Sequence, residues 1–181
     1  MTPVGHSLTA ITIGVVTVPE TSPARVKTLY YAALVVLANV PDFPFTGWGH
    51  DAYRVSHSIF VNLALIVFCL SIGVFAWRLS HRVVRWRMVL GGVAAWLSHL
   101  LLDSMYNHGK GIAIFWPFSD ARLALPVPWF STLRNPRPFT DWQTLHVAVI
   151  EFVSSGALLV AVLLVQRIIR RHERRRAKPV L

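Results

Sequence analysis

At 181 residues the chain has room for one domain, or two at most. With 54% hydrophobic residues, 14% charged residues and a mean hydropathy of +0.51, it is too apolar for a domain wetted all round, where about a quarter of residues carry charge, and too apolar for disorder. A single cysteine, Cys69, excludes a disulfide framework and a cysteine-rich zinc module. The net charge of +10 would suggest nucleic acid on a soluble protein, but its placement points to a membrane.

In chain order, the apolar run from His6 to Val18 predicts a helix near 6–18. No basic segment precedes it and no small-residue cleavage site follows, so it is expected to stay in the mature protein. Thr28 to Val40 predicts a second helix near 28–40. Ser58 to Trp77 is twenty residues without a charge, about the length that crosses a bilayer, and predicts a helix near 57–78. Met88 to Leu102, with a Gly91-Gly92 pair, predicts a helix near 86–103. Leu145 to Gln166 predicts a fifth helix near 143–170, running into a basic tail at 171–181. Between the last two lies Ile112 to Trp142, where Pro117, Pro126, Pro128, Pro136 and Pro138 forbid one continuous helix. Its aromatics, among them Trp116, Phe118, Trp129 and Phe139, suit the headgroup level, so it reads as an outer-face loop, either a cover over a site or a plain aromatic belt. The expectation is an all-α, multi-pass membrane bundle of about five helices, with 1–181 as a single integral-membrane domain.

The basic residues divide unequally if the helices alternate in direction. One face collects Arg25 and Lys27, then Arg78, Arg82, Arg85 and Arg87, then Arg167, Arg170, Arg171, Arg174, Arg175, Arg176 and Lys178, thirteen in all. The other collects Arg54, Lys110, Arg122, Arg134 and Arg137, which is five. The positive-inside rule puts the richer face in the cytoplasm, so the N-terminus is expected outside and the C-terminus inside. The tail reads as a topology anchor against anionic lipid, and nucleic acid is not an expected partner.

The acids and histidines concentrate on the outer side. His6 opens the first helix, Asp42 closes the second, His57 opens the third, His99 and Asp103 close the fourth, and His146 and Glu151 open the fifth. Ionisable groups in apolar spans are costly and commonly face an interior functional cavity. Imidazole with carboxylate suits zinc, manganese or iron. The His99-x-x-x-Asp103 spacing puts both side chains on one helix face, where they can share an ion. His146 and Glu151, five apart, lie about 140° apart around a regular helix and converge less readily. Each has a plainer reading alone: an interfacial histidine, a turn residue at Asp42, and an N-cap at Asp141. His50 and Asp51, in the Gly-rich stretch TGWGHD, read as solvated.

The motifs Gly5-His6-Ser7, Val40-Pro41-Asp42, Arg54-Val55-Ser56-His57-Ser58, Ser98-His99-Leu100-Leu101-Leu102-Asp103, His108-Gly109 and Phe115-Trp116-Pro117-Phe118 occur in this order along nearly the whole chain. They resemble those of the bacterial inner-membrane proteins known as membrane-bound metal-dependent hydrolases. The chain departs from that pattern at Pro44, where the family often has a second acid, and at Ala52-Tyr53, where it often has His-Arg; His50 or Asp51 could substitute. A more distant similarity is to the all-helical zinc-dependent phospholipase C and single-strand nuclease fold. This resemblance implies metal ligation by His6, Asp42, His57, His99, Asp103, His108, His146 and Glu151, with two or three zinc ions and phosphoester cleavage. The final pair is one residue longer than that fold's pattern.

Together these readings lead to an expected zinc-dependent hydrolase, with manganese or iron as alternatives, in the bacterial inner membrane. It would act on a lipid or lipid-linked phosphoester at the outer face. Asp42 would serve as ligand or general base, Asp103 as the bridging ligand, and Arg54 as a phosphate clamp through its planar fork. The alternatives are a non-enzymatic, metal-stabilised membrane module or a small transporter subunit, and a membrane metalloprotease. Polar residues confined to one end disfavour a transporter, and the lack of any His-Glu-x-x-His disfavours the commonest metalloprotease.

Overall fold

A computed structural model describes residues 2–43, 53–80, 85–105, 111–125, 127, 129–130 and 141–176. Among these, the order is α1 (Pro3–Thr17), α2 (Ala24–Asn39), a 3-10 turn (Val40–Asp42), α3 (Tyr53–Ser56), α4 (Ile59–Ser80), α5 (Trp86–Ser104) and α6 (Trp142–Arg176). There are thus six α-helices where about five were expected; the extra one is the single turn α3 ahead of α4. No strand forms among the described residues beyond an isolated antiparallel bridge between Ile112 and Leu123.

Caps and prolines set the helix ends. Thr2 is the N-cap of α1, its hydroxyl accepting from the Val4 amide, with Pro3 in the first turn, where its absent N–H costs nothing. Pro23 precedes α2, and Pro41 diverts its end into the 3-10 turn, which places Asp42 at the mouth of the bundle. Ser58 caps α4, accepting from the Val61 amide. Asp141 caps α6, its carboxylate accepting from the Gln143 amide at 2.8 Å, as its position before the helix suggested.

α1 packs against α2, α5 and α6, and α2 against α5. The contacts are made by small residues, with Ala10, Ala38 and Ala95 buried around Leu34. Gly91 lets the helices approach closely: a Cβ there would overlap the Tyr30 hydroxyl and the Thr17 side chain. Those two groups are joined at 2.8 Å, and the Tyr30 hydroxyl donates to the Met88 carbonyl at 2.9 Å. Most of the large apolar side chains lie outside, including Val67, Phe68 and Phe75 on α4 and Phe152, Val153 and Ile168 on α6. Small residues inside and large ones outside is the pattern of helices packed in lipid, where burying leucine gains nothing over leaving it in the acyl chains. By length and composition, Trp142–Glu173 within α6 can cross a bilayer; Pro3–Thr17 and Ile59–Ile72 are shorter apolar stretches.

Candidate metal centre

Four separate elements bring histidines and aspartates to one point. The capped first turn of α1 carries His6, the 3-10 turn carries Asp42, the α3–α4 junction carries His57, and the last turns of α5 carry His99 and Asp103. His6, His57 and His99 are essentially inaccessible and Asp103 is buried, whereas the Asp42 side chain keeps 25% of its surface open. Solvent therefore meets the cluster at Asp42.

The donor atoms crowd together. His57 Nε2 lies 3.0 Å from Asp103 Oδ2 and 3.6 Å from Asp42 Oδ1. His99 Nε2 lies 3.5 Å from each of the same two oxygens. His6 Nε2 approaches Asp103 Oδ1 at 3.3 Å and Asp42 Oδ2 at 4.0 Å. The two ring nitrogens His57 Nε2 and His99 Nε2 are 3.3 Å apart. Ligand atoms of His6, Asp42, His99 and Asp103 all fall within 4.8 Å of one another. Zinc–ligand bonds of about 2.0–2.1 Å in a tetrahedron put neighbouring donors about 3.3–3.4 Å apart, so these separations suit ligands sharing an ion.

The surroundings also fit a metal. His99 Nδ1 donates to the Ala38 carbonyl at 2.8 Å, which leaves the Nε2 lone pair facing the cluster. His57 Nδ1 meets the Ser56 hydroxyl at 2.8 Å. The rings of His6 and His99 stack with centroids 4.0 Å apart. Neither ring nitrogen of His6 has a hydrogen-bond partner among the described residues, nor has Asp42 Oδ1. A buried imidazole nitrogen without a partner is expensive, and a cation among these carboxylates would satisfy His6 Nε2.

Two expected ligands lie elsewhere. Glu151 is fully buried, but its carboxylate accepts from the Thr2 amide at 2.9 Å, the Thr2 hydroxyl at 2.5 Å and the Gly5 amide at 3.1 Å. It caps the N-terminus of α1 from α6, where orphan amides and the helix dipole favour an anion, and so fixes the turn that carries His6. His146 is exposed on α6. The five-residue offset accounts for both, since turning Glu151 inward rotates His146 away by about 140°. Arg54 stands half exposed on α3, 3.6 Å from Asp120, itself 92% exposed. His108, His50 and Asp51 lie outside the described residues, as does much of the Pro/aromatic loop.

The described part of that loop ties down both ends of the site. Beside His57, the Ile59 amide donates to the Ile114 carbonyl at 2.8 Å and the Ser58 hydroxyl donates to the Trp116 carbonyl. Beside Asp103, the Leu125 amide donates to the Ser104 carbonyl at 2.6 Å and the Val127 amide to the Met105 carbonyl at 3.0 Å. Gly111 turns the chain into this loop with φ of +64°, a conformation that side chains disfavour.

Asn62 is a supporting residue that the motifs and charge pattern do not single out. Its amide donates to the carbonyls of Ser56 and Ser58, both at 2.7 Å, and accepts from the Trp96 indole at 2.7 Å, joining α4 to α5 behind His57. The available signal is a lone carboxamide in an otherwise apolar run, SIFVNLALIV.

Comparison with known proteins agrees with a membrane setting. The chain is 29% identical over 157 residues to the inner membrane protein YbcI of Escherichia coli (strain K12), covering 81% of this chain and 76% of that protein. No solved structure matches it. The family model of the YdjM inner membrane protein matches residues 1–174, and the chain accordingly belongs to the YdjM inner membrane protein family.

Proposed function

We propose that this protein is a multi-pass, metal-dependent hydrolase of the bacterial inner membrane that cleaves a phosphoester, lipid or lipid-linked, at the outer face, with its N-terminus outside and its C-terminus in the cytoplasm. The observation that carries the reading is the convergence of three imidazoles and two carboxylates in an apolar bundle. The thirteen-to-five division of basic residues supports the orientation.

His6, His57, His99, Asp42 and Asp103 would hold the metal. When bound there, a divalent cation such as zinc supplies Lewis acidity, bringing the pKa of water toward ~7 and neutralising charge on a phosphoryl oxygen. Asp103 turns Oδ1 toward His6 and Oδ2 toward His57 and His99, which suits a chelating or bridging role. Asp42, the accessible member, is the group that a substrate meets first; it would serve either as a ligand or, with the other four holding the metal, as the base that accepts a proton from the attacking water. Arg54 can offer its guanidinium fork to a phosphate by exchanging out of its exposed contact with Asp120, which costs little.

The test is a screen of purified protein, loaded with zinc or manganese, against phosphodiester and phosphomonoester substrates in detergent. Asp103→Asn should lower turnover by more than about tenfold, and Asp120→Asn should leave it unchanged. No turnover on either class, from protein that carries metal, would move the reading to a metal-stabilised structural module.

A further inference from the structure

The end of the bundle away from the His/Asp cluster carries a second concave feature. A cleft of about 770 Å³ opens between the end of α1, the start of α2 and the later turns of α6. At about 1.5 Å per residue, Val15 lies ~14 Å along α1 from His6, and Gln166 ~22 Å along α6 from Glu151. The cleft is therefore distinct from the metal centre, and a ligand bound there is independent of the hydrolase reading.

Its lining combines two chemistries. Val15, Val18 and Leu163 contribute apolar surface, while Lys27, Arg167, Arg170 and Arg171 contribute four cations. The one acid in the lining, Glu20, is already engaged: its carboxylate meets Arg170 Nε at 2.5 Å and its backbone carbonyl accepts from Lys27 Nζ at 2.7 Å. Arg167 and Arg171 have no acidic partner among the described residues. The walls are also held in place. Gln166 donates to the Val15 carbonyl at 2.9 Å, tying α6 to α1, and accepts from Arg170 at 3.1 Å. Arg170 is thus fixed from two sides, by Glu20 and by Gln166.

Guanidinium groups grouped beside apolar surface match a phosphate attached to something greasy. The cleft sits where α6 passes from its apolar stretch to its basic one, the level at which a helix leaves hydrocarbon for headgroups. The outer surface of the same stretch exposes Leu164 and Ile168, which would lie among acyl chains. We infer that this cleft binds the phosphate headgroup of an anionic membrane phospholipid, with the glycerol and first acyl carbons against Val15, Val18 and Leu163. The chemistry shared with a soluble phosphate compound is the phosphate itself; the apolar lining and the inner-membrane family favour the lipid.

The experiment uses the full chain in neutral detergent, with native mass spectrometry measuring retention of dioleoyl-phosphatidylglycerol, dioleoyl-phosphatidylcholine and inorganic phosphate. Phosphatidylglycerol should bind about tenfold more tightly than phosphatidylcholine. Arg167→Gln and Arg171→Gln should each weaken it about fivefold, the effect expected of one basic residue at a lipid surface. Arg171→Lys, which keeps the charge, should retain most of the wild-type binding. Arg25→Gln, which removes the same charge from an exposed position outside the cleft, should have little effect. Equal retention of the two lipids, or a loss in Arg25→Gln as large as in Arg167→Gln, would overturn the inference. Inorganic phosphate binding as tightly as phosphatidylglycerol, with the same variants abolishing it, would assign the cleft to a soluble ligand and overturn the lipid.

Discussion

Glu151 separates two accounts of the same buried carboxylate, as an anchor for α1 or as a ligand in the metal centre. The structure gives it three donors from the first turn of α1, two of them backbone amides. Replacing it with alanine strands those amides and the Thr2 hydroxyl in a buried environment, each at about 1–3 kcal/mol. The groups relax together, so the net cost should be about 3 kcal/mol rather than the sum. For a chain of this length that lowers the melting temperature by about 6–12 °C. Glu151→Gln retains one carbonyl acceptor and should lose roughly half as much. Thermal unfolding in detergent reads the stability, and metal analysis of the same samples reads the site. On the anchor account, Glu151→Gln lowers the melting temperature and retains most of the metal, because His6 is displaced only slightly. A Glu151→Gln protein that melts like the wild type but has lost its metal would return Glu151 to the ligand set.

Other outcomes rest on the same geometry. Gly91→Ala should destabilise by about 1–3 kcal/mol through overlap with Tyr30 and Thr17, and Tyr30→Phe in that background should recover part of the loss by removing the hydroxyl, both read by thermal unfolding. Asn62→Leu leaves the Ser56 carbonyl and the Trp96 indole without these partners behind His57 and takes one of two donors from the Ser58 carbonyl, so it should weaken zinc binding about tenfold in a competition titration, in line with losses of outer-shell partners elsewhere. In a Cys69→Ser background, a membrane-impermeant thiol reagent applied to intact cells should label a cysteine at Ser119 and miss one at Arg82; the reverse pattern would invert the proposed orientation.

Much of this architecture is legible in the sequence because lipid imposes a simple rule. Long apolar runs become helices, and polar groups at their ends must find one another. The His99–Asp103 pair needs only helical periodicity, and the structure sets its donors 3.5 Å apart. The helix ends are harder to read, since apolar runs mark hydrophobicity whereas Pro3, Pro23, Ser58 and Asp141 mark where the backbone starts to wind. For that reason α1 begins at Pro3 rather than near His6, and α2 at Ala24 rather than near Thr28. Glu151 shows a different limit. Its position level with the cluster is visible from sequence, but whether a buried carboxylate meets a cation or a set of helix amides depends on which way α6 rotates. No local pattern states that rotation. Asn62 is hidden in the sequence because a single carboxamide barely alters the hydropathy of a run as apolar as α4, although its three hydrogen bonds brace the turn behind His57.

His6, Asp42, His57, His99 and Asp103 should together hold a metal ion. Elemental analysis of the full-length protein, purified without chelators, tests it most directly, with Asp103→Asn and Asp120→Asn in parallel. Asn at 103 keeps the shape but removes the charge that faces all three imidazoles, whereas Asp120 is a solvated acid paired only with Arg54 among the described residues. Wild-type protein should carry at least one divalent cation, zinc foremost, per chain; Asp120→Asn should carry the same, and Asp103→Asn should lose most of it while still inserting and purifying. Wild-type protein that carries no divalent cation even after dialysis against zinc, or equal metal content in all three proteins, would contradict it.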